Sequence, residues 1–453
     1  MQDIQTELLK NIDNYVKEKN VSDFISKDII EQKKKAFETF KSIGFPNKKM
    51  EEWRFTDLEF LNEIPFNIAT DSSINDNIIN KANIESFSLH DNFENTIVTI
   101  NGYFIPELSN IPNKGDNDKK VEIMSLKEAL LKHPDDIENH FGKYVNIKND
   151  SFSALNTVIV DDGLFIKFPK DYKSKTVFHI LHIIDVRKTA LMCNNRTLII
   201  AKENTSCKII ESIHNLGDYS GLSNSVTELT SDENSDIEYY KLQNDTASSY
   251  YIGATDVNLK NNCNFHSINI SLDGKFVKNN LNVNLDGENI NANFHGFFFA
   301  TKDNLIDNHT FVNHSKPNSF SEEVYKGIID GKSTAVFNGK IYVAPDAQKT
   351  NAYQSNKNIL LSEDATMHSM PQLEIWADDV KCSHGSTTGY IDDEFLFYLK
   401  SRGISERIAR AMLLNAFASD IFNKIKISSL CDKVKSLTAK RLNIDENIYF
   451  CKL

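Results

Sequence analysis

Apolar residues in the first 90 positions recur at three- and four-residue steps. Ile4, Leu8, Leu9, Ile12, Tyr15 and Val16 form one such stripe; Ile29, Ile30, Ala36, Phe37 and Phe40 form a second. This is the period of amphipathic helices. Gly44-Phe45-Pro46-Asn47 breaks the second stripe, and a mixed-charge segment from Lys48 to Asp57, with Trp53 inside it, follows. From about residue 95 the pattern changes. Ile97-Val98-Thr99-Ile100 predicts a strand and Asn101-Gly102 a turn, before a helical stretch from about Ser125 to His140. From Phe152 to about residue 385, short β-rich runs such as Thr157-Val158-Ile159-Val160, Leu164-Phe165-Ile166-Lys167-Phe168 and Cys207-Lys208-Ile209-Ile210 alternate with turn clusters. Those clusters include Lys202-Glu203-Asn204, Asp232-Glu233-Asn234, Asn261-Asn262 and Asp330-Gly331. Past Gly389 the helical period returns. Asp392 can cap a helix carrying Phe395, Leu396 and Leu399, which Gly403 closes. Ser405 can start a second helix bearing Leu413, Phe417 and Ile421, and a third runs from Leu430 to Ala439.

The pattern thus divides the chain into a helical region over 1–90, a β body over 91–385 and a helical tail over 386–453. Many short strands in series fit a sandwich, barrel, propeller or solenoid. No motif recurs at a fixed period, but a solenoid buries a stack of inward side chains without identical repeats.

Composition narrows the function classes. The chain has 453 residues, 40% hydrophobic and 25% charged, with a net charge of −12. That balance disfavours nucleic-acid binding, which needs a clustered positive surface. Six widely spaced cysteines, with no C-x-x-C, argue against a disulfide framework or structural zinc and for reduced thiols in a cytoplasmic protein. The first ten residues lack the form of a signal peptide. No apolar run approaches the roughly 18 residues of a membrane span.

The chemistry concentrates at Lys381-Cys382-Ser383-His384-Gly385. On a strand, alternate side chains share a face, so Cys382 and His384 point the same way. A thiolate and a neutral imidazole suit iron or sulfur near neutral pH, and Lys381 and His384 could lower the Cys382 pKa. His309 and His314, five residues apart, fall on opposite faces as hydrogen-bonding groups of the body. Cys193, Cys207 and Cys263 read as core, Trp53 as a packing anchor, and Cys431 and Cys451 carry no role. Gly327-Ile328-Ile329-Asp330-Gly331-Lys332-Ser333 mimics a P-loop but is one residue short between its glycines, and strand-forming residues follow where a helix is required.

Several segments together carry a family resemblance. Met50-Glu51-Glu52-Trp53-Arg54-Phe55-Thr56-Asp57-Leu58, Ser153-Ala154-Leu155-Asn156-Thr157, Asp307 to His314, Tyr325 to Ile341, Ala347 to Gln354 and the stretch from Cys382 to Ser405 resemble the SufB/SufD family of iron–sulfur cluster assembly scaffolds. The Trp53 motif and Cys-Ser-His-Gly-Ser-Thr-Thr-Gly resemble its SufD side, with Ser386 standing where alanine is usual. The resemblance implies a right-handed parallel β-helix flanked by helical regions. It implies a non-catalytic subunit that pairs with a SufB-like paralogue through the β-helices and binds a SufC-like ABC ATPase through the C-terminal helices, at Phe395, Leu396, Leu399, Leu413 and Phe417. A transient iron–sulfur cluster would be built at the interface with SufB for transfer to apoproteins, with His384 matching a histidine implicated in assembly and Cys382 accepting sulfur or ligating iron. A flavin in the complex stays open by analogy, although no flavin motif is legible, and so does a homodimer of the isolated chain. The rival readings are the SufB role of main assembly platform, a carbohydrate-active β-helix enzyme, for which no carboxylate pair stands out, and a purely structural module.

Overall fold

The computed structural model describes residues 4–18, 27–71, 95–111 and 119–442, together with Ile79, Ile84, Glu85, Phe87 and Leu89. From Leu164 to Gly389 the chain winds as a parallel β-solenoid of about eight turns. Its strands alternate between two sheets, and each pairs in parallel with the next-but-one strand in sequence. Alternate side chains point inward. Rows such as Ile237–Phe265–Ala292 stack from rung to rung and fill the interior, together with Phe168, Phe178 and Leu229.

The predicted turn clusters are the corners of this coil. Asn204, Asn234, Asn262, Asn289 and Asn318 all adopt positive φ, between 57° and 64°. Asparagine tolerates this left-handed region better than other residues with a Cβ. Successive corners also bond to one another, Asn262 Nδ2 donating to Asn234 Oδ1 at 3.1 Å and Asn289 Nδ2 to Asn262 Oδ1 at 3.3 Å. The P-loop mimic is one more corner, with Gly331 at φ 68° between the strands Phe320–Ile329 and Thr334–Val343.

The two ends of the solenoid differ. At the N-terminal end short strands finish both sheets: Glu122–Ser125 runs antiparallel to Leu164–Phe168, and Thr96–Ile100 lies beside Lys173–Asp185 with Tyr103–Phe104 folded back on it. At the C-terminal end the strands Thr366–Ile375 and Lys381–Gly389 are the last of their sheets, so each leaves one edge unpaired among the described residues.

The helices Ile4–Glu18 and Lys27–Ile43 match the two predicted stripes, with Leu8, Ile12, Ala36 and Phe40 buried in one cluster. The predicted stretch from Ser125 to His140 is two short helices, Leu126–Lys132 and Pro134–His140, because Pro134 starts a new helix instead of continuing the first. One strand assignment fails. Thr157-Val158-Ile159-Val160 is not a strand; Ser151–Ile159 is a helix, capped by Asp150, whose side chain accepts from Phe152 N at 3.1 Å. All nine of its residues are buried, so it lacks the alternation that separates helix from strand. Asn156 pins it to the solenoid, its Nδ2 donating to Asn195 O and Asn224 O at 2.9 Å each.

The tail forms the helices Asp393–Ser401, Glu406–Phe422 and Ser428–Arg441. Asp392 caps the first as predicted, and Gly403 takes φ 85° after it. Leu414, Ala418, Ile421 and Phe422 lie against Phe297, Phe299 and Ile328 of the solenoid. Polar ties fix this docking: Lys326 Nζ donates to Asp420 at 2.5 Å and to Phe417 O at 2.9 Å, and Arg441 donates to Leu272 O and Asp273 at 2.7 Å. No helix among the described residues is long and apolar enough to cross a membrane.

Candidate functional site

Cys382 and His384 lie on the last strand, Lys381–Gly389, in register with Ala352 and Gln354. Ala352 belongs to the interior cluster, and Gln354 is buried, donating through Nε2 to Glu323 at 2.6 Å. The cysteine and histidine therefore continue two inward rows of the solenoid, as the alternation predicts. They sit on the final rung, with no further rung to cover them. Cys382 is half-buried against the interior cluster and His384 is exposed. Ser369 and Ser386 approach across the same open end, with their hydroxyls 2.7 Å apart. Trp376, 64% exposed, follows the strand Thr366–Ile375, and the exposed Tyr390 follows Lys381–Gly389.

The expected activation of the thiol by Lys381 and His384 is not found. Burial pushes the Cys382 thiol up from its ordinary value, with the Ala352 backbone offsetting this only in part. A protonated thiol is a poor nucleophile and ligand until a metal or partner displaces its proton. Behind His384 the inward row continues through Gln354 to Glu323. Burial raises the Glu323 carboxyl to about 7, with bonds from Thr310 and Gln354 working against it. Sequence reading missed this pair, because only the register links residues so far apart. No group of three or more histidine, cysteine or acidic side chains is set to hold a metal among the described residues. The open end thus presents one thiol and one imidazole on a shared face.

The other predicted residues fall elsewhere. Cys193, Cys207 and Cys263 are buried, and Cys431 is half-buried in the tail; Cys451 lies outside the described residues. His314 bonds to Ser321 inside the solenoid at 2.9 Å. On the tail, Phe395 is exposed, Leu396 is buried and Leu399 is half-buried; Leu413 and Phe417 are half-buried against the solenoid. Phe397 and Tyr398, which the periodicity did not single out, are exposed beside Phe395.

A second polar centre joins the Trp53 motif to the body. Trp53 is buried against Phe152, with ring centroids 5.6 Å apart, and Lys278 Nζ stands 4.8 Å from its ring. Lys278 donates to Asp307 at 2.6 Å and to Glu52 O at 3.1 Å, and Thr56 donates to the same carboxylate at 2.6 Å. His309 bridges the two acids, Nδ1 to Glu52 at 2.7 Å and Nε2 to Asp307 at 2.8 Å. Burial pulls the His309 imidazolium down, but the Asp307 and Glu52 carboxylates outweigh it and raise the pKa. A histidine raised on folding stabilises the fold fully below its unfolded value of about 6.5, and loses that contribution as pH rises through the folded value. The melting-temperature advantage of wild type over His309→Gln is therefore expected to be largest in mildly acid buffer and to shrink above neutrality. A gap that widens with pH would contradict the bridge.

Comparison with known proteins agrees with this architecture. The family described as "SUF system FeS cluster assembly, SufBD core domain" matches residues 182–417, and "SufBD protein N-terminal region" matches residues 7–180. The chain belongs to the SufBD family of SUF-system iron–sulfur cluster assembly proteins. Within it the chain is SufD-like. It is 28% identical to the iron–sulfur cluster assembly protein SufD of Escherichia coli K12 over 88% of this chain and 90% of that protein. It is 23% identical to SufD of Bacillus subtilis 168 over 72% and 75%. An iron–sulfur cluster assembly SufBD family protein of Synechocystis is 29% identical over 96% of both chains.

Proposed function

We propose that this chain is a SufD-like scaffold subunit, acting in the cytoplasm, that pairs with a SufB-like paralogue through the open end of its solenoid. A nascent iron–sulfur cluster is built there as cargo, with His384 and Cys382 among its ligands. The observation that carries this reading is the uncovered last rung, which leaves a thiol, an imidazole and two unpaired strand edges at one exposed surface. Unpaired edges invite strand addition from a partner. Iron prefers thiolate and imidazole, and the remaining ligands come from the partner. Metal binding also supplies the cation that deprotonates Cys382.

The P-loop mimic is a solenoid corner, so ATP hydrolysis belongs to a SufC-like ABC ATPase. Phe395, Phe397 and Tyr398 are exposed aromatic side chains on the helix Asp393–Ser401, and they suit its docking. The neighbouring helix Glu406–Phe422 is tied to the solenoid through Lys326 and Asp420, so a shift of the ATPase is transmitted to the body and its open end.

Anaerobic reconstitution with the SufB- and SufC-like proteins of the same organism tests this. The Cys382→Ala/His384→Ala variant is expected to form the complex and hydrolyse ATP at the wild-type rate while holding little iron and sulfide. Unchanged cluster content would leave the chain a mechanical scaffold. Failure of the wild type to assemble would overturn the pairing.

A further inference from the structure

On the outer face of one sheet lies a groove of about 590 Å³ that reaches Gln372 on the last strand of that sheet. The Trp53 segment and residues 143–150 wall it, and the strands Ser249–Leu259, Phe276–Leu285, Leu305–His314 and Thr334–Val343 make most of its floor. The floor is laddered with amides. Asn284 donates to Asn258 at 2.8 Å, Asn313 to Asn284 at 2.9 Å, and Asn282 to Asp256 at 2.9 Å. Each ladder satisfies one oxygen per rung and leaves others over. Asp256 is 2% exposed, and its second oxygen, Oδ2, has no hydrogen-bond partner among the described residues. The Asn280 and Asn313 carbonyl oxygens, also lining the groove, are buried and unpartnered as well. Buried polar atoms left unpaired are unfavourable.

With Asp256 ionised, all three unfilled atoms are acceptors, so a ligand that brings donors and positive charge fits them. The charges around them point the same way. Burial, opposed by the Asn282 bond and reinforced by the Glu228 and Asp150 carboxylates, pushes the Asp256 carboxyl up to about 8. The cations of the groove are mostly spoken for: Lys278 by Asp307, His309 by Glu52 and Asp307, and Lys340 by Glu374. In register, Asp256 aligns with Asn282 and Phe311, while Asn280 and Asn313 stand two residues to either side on later rungs. With about 4.8 Å between strands and 3.3 Å per residue, the three acceptors spread over roughly 12–14 Å. One lysine side chain from a docked protein reaches only one of them. Phe311, exposed in the middle of the groove, offers a ring face to a cationic chain.

We infer that this groove binds a linear polyamine, whose ammonium groups bond to Asp256, Asn280 and Asn313 across the three rungs. Near pH 7 the bound cation stabilises the Asp256 carboxylate, so binding releases its proton.

Isothermal titration calorimetry of the full chain with spermidine, in PIPES and in Tris, tests both statements, because the two buffers differ in ionisation enthalpy. Saturable binding at one site with net proton release is expected. Asp256→Asn is expected to abolish the proton release and weaken binding by about tenfold or more, with an unchanged melting temperature. Should that variant melt early, Asn280→Ala/Asn313→Ala provides the same affinity test from half-buried positions. Absence of saturable binding, affinity indifferent to these substitutions, or equal binding of the neutral polyol maltotriose would overturn the assignment.

Discussion

Asp307→Ala is expected to destabilise the junction between the Trp53 segment and the solenoid by about 3–5 kcal/mol, the usual result of removing one partner from a buried ion pair. Asp307 and Lys278 are both almost wholly buried. The carboxylate accepts from Thr56 and Lys278 and forms an ion pair with His309. Burial alone would raise its pKa, yet His309 and Lys278 together hold it below the usual carboxylate range. Its loss strands two buried cationic groups. The chain has two tryptophans, Trp53 beside this cluster and the exposed Trp376. In a Trp376→Phe background, Trp53 fluorescence therefore reports the junction alone, and its urea midpoint should fall sharply in Asp307→Ala. Adding Lys278→Met removes the stranded ammonium and should restore part of the loss. A change below about 1 kcal/mol would mean that the cluster contributes no more than a surface pair.

Glu228→Ala is expected to be comparably damaging, at about 3–5 kcal/mol, on the other side of the same region. Glu228 pairs with Arg196, and both side chains are fully buried. Its carboxylate also accepts from Gly142 N at 2.8 Å and Tyr144 N at 3.1 Å. One substitution thus leaves an unpaired guanidinium and two orphaned amides. Arg196 also lies over the Phe141 ring at 4.5 Å and reaches Asn156 and Thr157 on the capped helix. The amides of Gly142 and Tyr144 should lose hydrogen-exchange protection before those of the solenoid interior. Uniform loss across the chain would show that the pair stabilises the whole body instead of this loop.

Local chemistry carried much of the fold into the sequence. Helical stripes, the Asp392 cap, Gly403 and the asparagine corners are each decided within a few residues. The solenoid's period is not. The register partners Asp236, Asn264, Asn291, Phe320, Asn351 and Lys381 stand 28, 27, 29, 31 and 30 residues apart. Corners absorb the variation, so no fixed spacing appears. The helix Ser151–Ile159 was misread because it is buried all round.

The site divides in the same way. That Cys382 and His384 share a face follows from strand alternation. That they share it at an uncovered end depends on where the coil stops, and the raised Cys382 pKa on what packs behind it. The Glu52–His309 contact joins residues 257 positions apart, so no local pattern could pair them; the acidic Glu51-Glu52 before Trp53 was its only trace.

The unequal ends of the solenoid set a limit on growth. A coil with two open ends could stack indefinitely, head to tail, into a fibre. Here the N-terminal end finishes in the short antiparallel edge strands Glu122–Ser125 and Tyr103–Phe104, the latter only two residues long, which are poor templates for further pairing. The long parallel edges lie at the end bearing His384, so that end is the one suited to accept another coil. Two such ends consume each other when they meet, so coil stacking stops at a pair. The geometry that exposes the site also limits coil stacking to one partner coil per chain.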